Sequence, residues 1–128
     1  MSNVLKDFSD ATAGVAEATA RRVVAVNGRD WGGSSGIIIK PGVIVTAEEA
    51  LEHDEDVDIV LLDGQEAKAT VAGRDPTTDV AALRVGGADL AEPPAAAQPR
   101  AGALVIGVGR VGKDVEAALG SIAAVGEG

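Results

Sequence analysis

An all-β fold with a single N-terminal helix is what this sequence predicts, and three observations predict it. Short runs rich in Val and Ile are separated by the turn pairs Pro41-Gly42 and Asp63-Gly64, the pattern of adjacent strands. Helical spacing of apolar residues is confined to Ser2–Arg21 and a short turn after Thr46. Hydrophobic residues make up 46% of the chain and aromatics only 2%. The core must therefore be filled by Val, Ile, Leu and Ala, which favours many close-packed strands over a roomy ligand cavity.

In chain order, Ser2–Arg21 places Val4, Leu5, Phe8, Ala11, Val15 and Ala18 three and four apart, with Asp7, Asp10 and Glu17 between them. That is an apolar stripe on a helix expected to pack on the outside of the sheet. Gly14 weakens its middle, so two shorter helical pieces are an alternative. Val23–Val26 is a β-branched and small run that reads as a strand covered on both faces. Asn27–Ser35, with Asn-Gly and Gly-Gly and the only tryptophan, Trp31, reads as a loop, the ring covering one end of the core. Gly36–Ile39 and Val43–Ala47 form two strands around Pro41-Gly42. Asp58–Leu62 and Gln65–Ala72 then pair antiparallel, because Asp63-Gly64 supplies the positive φ angles of a tight hairpin. The stretch through Val85 ends in a further strand. Gly86–Gly102, with Pro93-Pro94 and Pro99, is a surface connection, since proline removes backbone donors. Ala103–Val108, a turn at Gly109–Lys113 and Val115–Val125, kinked at Gly120, form a final strand pair.

Composition excludes several functions. A chain of 128 residues is one domain by length. Eleven basic against twenty acidic residues give a formal net charge of -9, which would repel a phosphate backbone, so nucleic acid is not an expected partner. There is no cysteine, hence neither a disulfide framework nor a thiolate metal site. No apolar run is long enough for a membrane span, and the N-terminus lacks the order of a signal peptide, so the chain reads as soluble.

The order Ser-Gly-aliphatic, Pro-Gly, Val-Ile-Val-Thr-Ala, acidic turn, strand-Asp-Gly-strand, Gly-Arg-Asp-Pro and Thr78-Asp79-Val80-Ala81-Ala82-Leu83 resembles the first half of a trypsin-like serine protease, and within these the HtrA/DegP group. The resemblance runs from Val23 to the C-terminus. It implies a six- or seven-stranded antiparallel barrel over residues 22–128, preceded by a helical segment over 1–21, with the final strand pair closing the barrel. In that family the Thr-Asp-aliphatic-Ala segment supplies the catalytic aspartate, which aligns with Asp79. A Thr-x-x-His segment supplies the histidine, and here Thr46-Ala47-Glu48-Glu49 carries Glu49 at that position. The serine lies in a Gly-x-Ser-Gly-Gly turn of a second barrel, and no such turn is present. The family is often periplasmic or extracytoplasmic; the residues themselves assign no compartment.

Read as chemistry, the constellation is incomplete. Serine proteolysis needs a hydroxyl nucleophile, a histidine, an orienting carboxylate and oxyanion donors. Only Asp79 has a counterpart, with a cap at the start of its strand as the structural alternative. Glu49 cannot shuttle a proton between serine and leaving amine, so it is expected to be non-functional. The sole histidine, His53, sits in the charge run Glu52–Asp56, which reads as a solvated face. Ser34-Ser35-Gly36 reads as ordinary strand entry. Glu48, Glu49 and Asp79 are a weak oxygen set for a hard cation. Gly107-Val108-Gly109-Arg110-Val111-Gly112 fits a bare dinucleotide fingerprint but lacks the helix that must follow it, so a hairpin turn accounts for it better. The reading is a non-catalytic, protease-like domain that acts as a binding or scaffold module toward protein or peptide, a second protease-like domain among the partners, without cofactor or metal. The alternative is a piece of a genuine endopeptidase whose serine-bearing barrel lies outside this chain.

Overall fold

The structure, a computed structural model, describes residues 3–27, 33–61, 63–86, 97–112 and 114–126. Trp31 and the Pro93-Pro94 pair, both singled out above, lie outside the described residues. Among the described residues the elements are a helix α1 (Val4–Ala20) and eight strands: β1 (Val23–Asn27), β2 (Ser34–Lys40), β3 (Val43–Ala47), β4 (Val57–Val60), β5 (Glu66–Asp75), β6 (Val80–Arg84), β7 (Leu104–Val111) and β8 (Asp114–Ser121). A 3-10 turn, Glu48–Ala50, follows β3.

Six strands close into an antiparallel barrel in the order β1-β2-β3-β6-β5-β4, with β4 returning to β1. The alternation of apolar and polar residues follows from the two-residue repeat of a strand. In β3, Ile44 and Thr46 point inward between less buried neighbours, and in β6, Ala81 and Leu83 do the same. Val24, Val26, Ile38, Ile44, Ile59 and Leu83 form the centre of the core, each at most 1% exposed. Each such side chain contributes about 1.5–3 kcal/mol when fully withdrawn from water. A residue with a Cβ would not fit at Gly36, where that atom would lie 2.6 Å from Ile44 Cγ2 and 3.1 Å from Val26 Cγ2. Gly42, at φ +77°, makes the turn between β2 and β3.

The turns differ in detail from the sequence reading. Ser34 and Ser35 belong to β2, where they pair with Val26 and Ala25, and Asn27 ends β1. β4 and β5 do form a hairpin, with Val60 opposite Glu66. Its connection is longer than a two-residue turn: among its described residues only Gly64 has positive φ, and Asp63 uses its carboxylate to accept the Gln65 N–H at 2.9 Å.

Two expectations about the outside of the barrel are corrected. The final strand pair does not close it. Among the described residues β7 and β8 pair only with each other, as a separate two-stranded sheet. The reason is topological: β1 and β4 satisfy one another's free edges through Ala25↔Val60, Val26↔Ile59 and Asn27↔Asp58, so no edge is left to extend. β8 also stops at Ser121 and not at Val125. Nor does α1 dock by its predicted stripe. Helix α1 is continuous through Gly14, and its more buried positions are Thr12, Ala16, Thr19 and Ala20. Val4, Leu5, Phe8 and Val15 all face solvent, at 69%, 82%, 43% and 51% exposed. Small side chains win this contact because they let the helix end approach β7 and β1 closely. Val23 and Ala25, on the outward face of β1, are buried beneath this annex, which is why β1 reads as apolar on both faces.

One side chain fastens the annex. Arg110 of β7 is 2% exposed; its Nε donates to the Val23 carbonyl at 2.7 Å and its Nη2 to the Ala20 carbonyl at the end of α1. Its backbone N–H donates to Ser35 Oγ at 2.8 Å. Burial pushes the guanidinium below its ordinary value, but an arginine starts so high that it stays charged at any pH the fold experiences. A cation on the last carbonyls of a helix also complements the helix dipole.

Candidate functional site at the rim of the barrel

The end of β3 and the start of β6 lie side by side because the two strands pair, Thr46 opposite Ala81 and Ala47 opposite Val80. The segments that leave them are therefore neighbours. Glu48 donates its N–H to the Asp79 carbonyl at 3.2 Å, and Glu49 donates its N–H to Asp79 Oδ1 at 2.9 Å. Asp79 thus caps the 3-10 turn, joining positions thirty residues apart, and adopts φ +57° to do so. A short polar side chain tolerates that left-handed conformation better than a branched one. Both Glu49 and Asp79 are exposed at the barrel rim. Just inside, Thr46 is 6% exposed and donates its hydroxyl to the Ser35 carbonyl at 2.9 Å.

The turn that delivers Asp79 is built by Asp75. Its carboxylate accepts the Thr77 N–H at 3.0 Å and the Thr78 hydroxyl at 2.9 Å, closing the β5–β6 connection. The other wall, the segment after the 3-10 turn, is organised by Arg74. This guanidinium reaches Glu48 Oε1 at 3.1 Å, Asp54 Oδ1 at 2.9 Å, the Leu51 carbonyl at 3.1 Å and the His53 carbonyl at 3.0 Å. It holds together a loop carrying Glu48, Glu49, Glu52, Asp54, Glu55 and Asp56, whose like charges would otherwise repel. The planar fork makes this possible, since several donors leave one rigid group. The Asp54 carbonyl in turn accepts the Val71 N–H at 2.7 Å.

The remaining candidates disperse. His53 is exposed in the acidic loop, and no hydrogen bond among the described residues joins its ring to Asp79 or to a serine. Ser35 is engaged with the Arg110 backbone, Ser9 lies in α1 and Ser121 ends β8. Glu48 does not converge with Glu49 and Asp79 on a cation, because it is turned to Arg74. Among the described residues no group of three carboxylate or imidazole side chains is placed to hold a metal ion. The glycine-rich stretch from Gly107 is strand β7 and its turn, where Gly112 takes φ +56°. No helix among the described residues is long and apolar enough to cross a membrane.

Sequence reasoning missed Arg74 and Arg110. A signal for Arg74 existed: a loop holding six carboxylates requires a cation, and the arginine of Gly73-Arg74-Asp75-Pro76 is the one delivered by the adjacent strand. Arg110 gave none, since its recorded side-chain partners are carbonyls almost ninety positions away. Among the described residues the rim offers a carboxylate, Asp79, anchored on the backbone N–H of Glu49, and no hydrogen bond joins a serine hydroxyl to a histidine there.

Compared with known proteins, residues 34–128 match the family model described as the trypsin-like peptidase domain. No curated protein matches the chain.

Proposed function

The chain belongs to the trypsin-like peptidase domain family, and on that premise we propose that it is a non-catalytic member of the HtrA/DegP type, a protease-like barrel that binds protein or peptide. The observation that carries the reading is the pairing at the rim. Asp79, at the position of the family's aspartate, accepts the N–H of Glu49, at the position of its histidine. A carboxylate at that position cannot do the work of the imidazole, which takes a proton from the serine and returns it to the leaving amine. Incubation with a serine-reactive fluorophosphonate probe and with unfolded casein tests this. Neither labelling nor cleavage above buffer is expected; labelling of this chain overturns the non-catalytic reading.

A second reading draws on a different observation. The β7–β8 hairpin stands apart from the closed barrel and exposes Leu104, Val105, Val111, Val115 and Leu119. Such an apolar two-stranded sheet is marginal alone and wants further strands. On this reading the chain is one part of an endopeptidase, and the hairpin begins a second barrel that carries the nucleophile. A Gly-x-Ser-Gly-Gly turn encoded downstream of Gly128 would favour it, and a stop codon there would remove it.

A further inference from the structure

We propose that the outward face of α1 is a self-complementary seam through which two copies of this chain pair, helix against antiparallel helix. Of the apolar residues of α1 left in solvent, Val4, Phe8, Ala11, Val15 and Ala18 form one stripe, and Leu5 and Ala13 lie off it. The spacing along the stripe is four, three, four, three, the repeat of a helix that packs along another helix, not of one lying on a sheet. The barrel cannot be the occupant, because its contact uses the Thr12, Ala16 and Ala20 side.

A second copy fits for three reasons on that face. Inverting the helix about Ala13 sets Phe8 of one copy against Ala18 of the other and Ala11 against Val15. Phe8 and Val15 then each meet a small side chain, twice over, as a two-fold interface requires, while Val4 falls level with Arg22 of the other copy. The same inversion leaves the two Gly14 residues about 3 Å apart along the axis, beside the seam. Gly14 has no neighbour within 4 Å of where its Cβ would be, so nothing in its own chain uses the missing side chain, whereas a close helix crossing does. Finally, Asp7 and Arg21 flank the seam on the Gly14 side, both exposed and without a side-chain partner among the described residues. Antiparallel pairing places each Asp7 beside the other copy's Arg21; parallel pairing does not. The barrels, attached at the Ala20 ends, then lie at opposite ends of a pair about 25 Å long. Two helices of 17 residues bury little compared with a permanent interface, so the dimer is expected to be weak and concentration-dependent.

Sedimentation equilibrium of the whole chain tests this, with the apparent mass expected to rise from one copy to two as concentration increases. Phe8→Glu with Val15→Glu should stay monomeric with an unchanged circular dichroism spectrum. Asp7→Arg and Arg21→Asp, each checked for unchanged helix content by circular dichroism, should each weaken the dimer about tenfold, and the double swap should restore it. A chain that is monomeric at every concentration, a dimer indifferent to the glutamate pair, a double swap no better than the single ones, or binding of the monomer to lipid vesicles through this face each overturns the proposal. Failure would leave the reading of the rim untouched, because no residue of the seam belongs to it.

Discussion

The barrel and the β7–β8 hairpin are built from the same kinds of residue, yet they stand at opposite ends of a scale of self-sufficiency. Every barrel strand has two hydrogen-bonded neighbours and turns at least one fully buried residue inward. The hairpin has one ladder, both its outer edges are free of strand partners, and β8 is exposed along its whole length. The difference teaches that β-propensity alone does not decide stability; closure does, because it pairs every edge and encloses one face. The hairpin borrows its place from the barrel through Arg110 and Ser35.

The sharpest way to break this comparison is a pair of truncations. Ile59 is fully buried on β4, opposite Val26 in the register that closes the barrel. Ile59→Ala should cost about 2–5 kcal/mol, the range for a buried aliphatic deletion that leaves a cavity. Leu119 on β8 is 55% exposed, and Leu119→Ala should change stability by less than about 0.5 kcal/mol. Chemical denaturation of the two variants measures both, and equal losses would mean that the hairpin is as much part of the core as the barrel.

Next in size is the fastening itself. Arg110→Met keeps the stem and removes the guanidinium, leaving the Val23 and Ala20 carbonyls without it. Hydrogen bonds from a charged donor are worth about 1.5–3 kcal/mol each, so the attachment of the annex should weaken by about 2–3 kcal/mol. Hydrogen exchange should then quicken across β7, β8 and the last turn of α1 while β3, β4 and β6 keep their protection. Uniform acceleration throughout would show that annex and barrel unfold as one unit.

What could be read beforehand follows the same division. The barrel strands were legible because alternation and turn pairs are local signals, and Pro41-Gly42 and Asp63-Gly64 stand where the structure turns. The placement of β7 and β8 was not. A hairpin has the same residue pattern whether it joins a barrel or lies on it, and only the Ala25↔Val60 pairing, thirty-five positions apart, excludes it. For α1 the stripe was visible but its docking side was not, since the surface it meets wants small residues. The rim residues Glu49 and Asp79 could be named from their flanking motifs. The bond between them runs through a backbone N–H, which no side-chain pattern announces.

A third test concerns the rim loop, which depends on one group as the hairpin does on Arg110. Arg74→Lys preserves the charge near Glu48 and Asp54 but not the fork that also reaches the Leu51 and His53 carbonyls. A loss of about 1–2 kcal/mol is expected, the scale of one or two partly exposed hydrogen bonds. Exchange should rise for residues 51–56 and at Val71, which donates to the Asp54 carbonyl. A variant indistinguishable from the parent would mean that charge alone organises the loop.

The smallest effect is expected where the family's chemistry would be concentrated. Glu49 contributes its backbone N–H to Asp79, and replacing its exposed side chain leaves that donor in place. Glu49→Gln and Glu49→His should therefore shift stability by less than about 0.5 kcal/mol at neutral pH. The sign should be favourable if it is resolved at all, because one of two neighbouring carboxylates is removed. Asp79→Asn retains an acceptor oxygen and a residue type that tolerates the φ of +57°, so it too should be nearly silent. Asp79→Ala loses both and should cost about 1 kcal/mol. Thermal melts of the four variants give the ranking. A large loss in Glu49→Gln with Asp79→Asn harmless would mean that the Glu49 carboxylate holds a base or a cation of its own. The histidine variant adds a further discrimination: it supplies an imidazole next to Asp79 in the chain's fold, yet among the described residues no serine is bonded to that site, so casein should remain uncut. Cleavage by Glu49→His would show that the rim lacks nothing but its base.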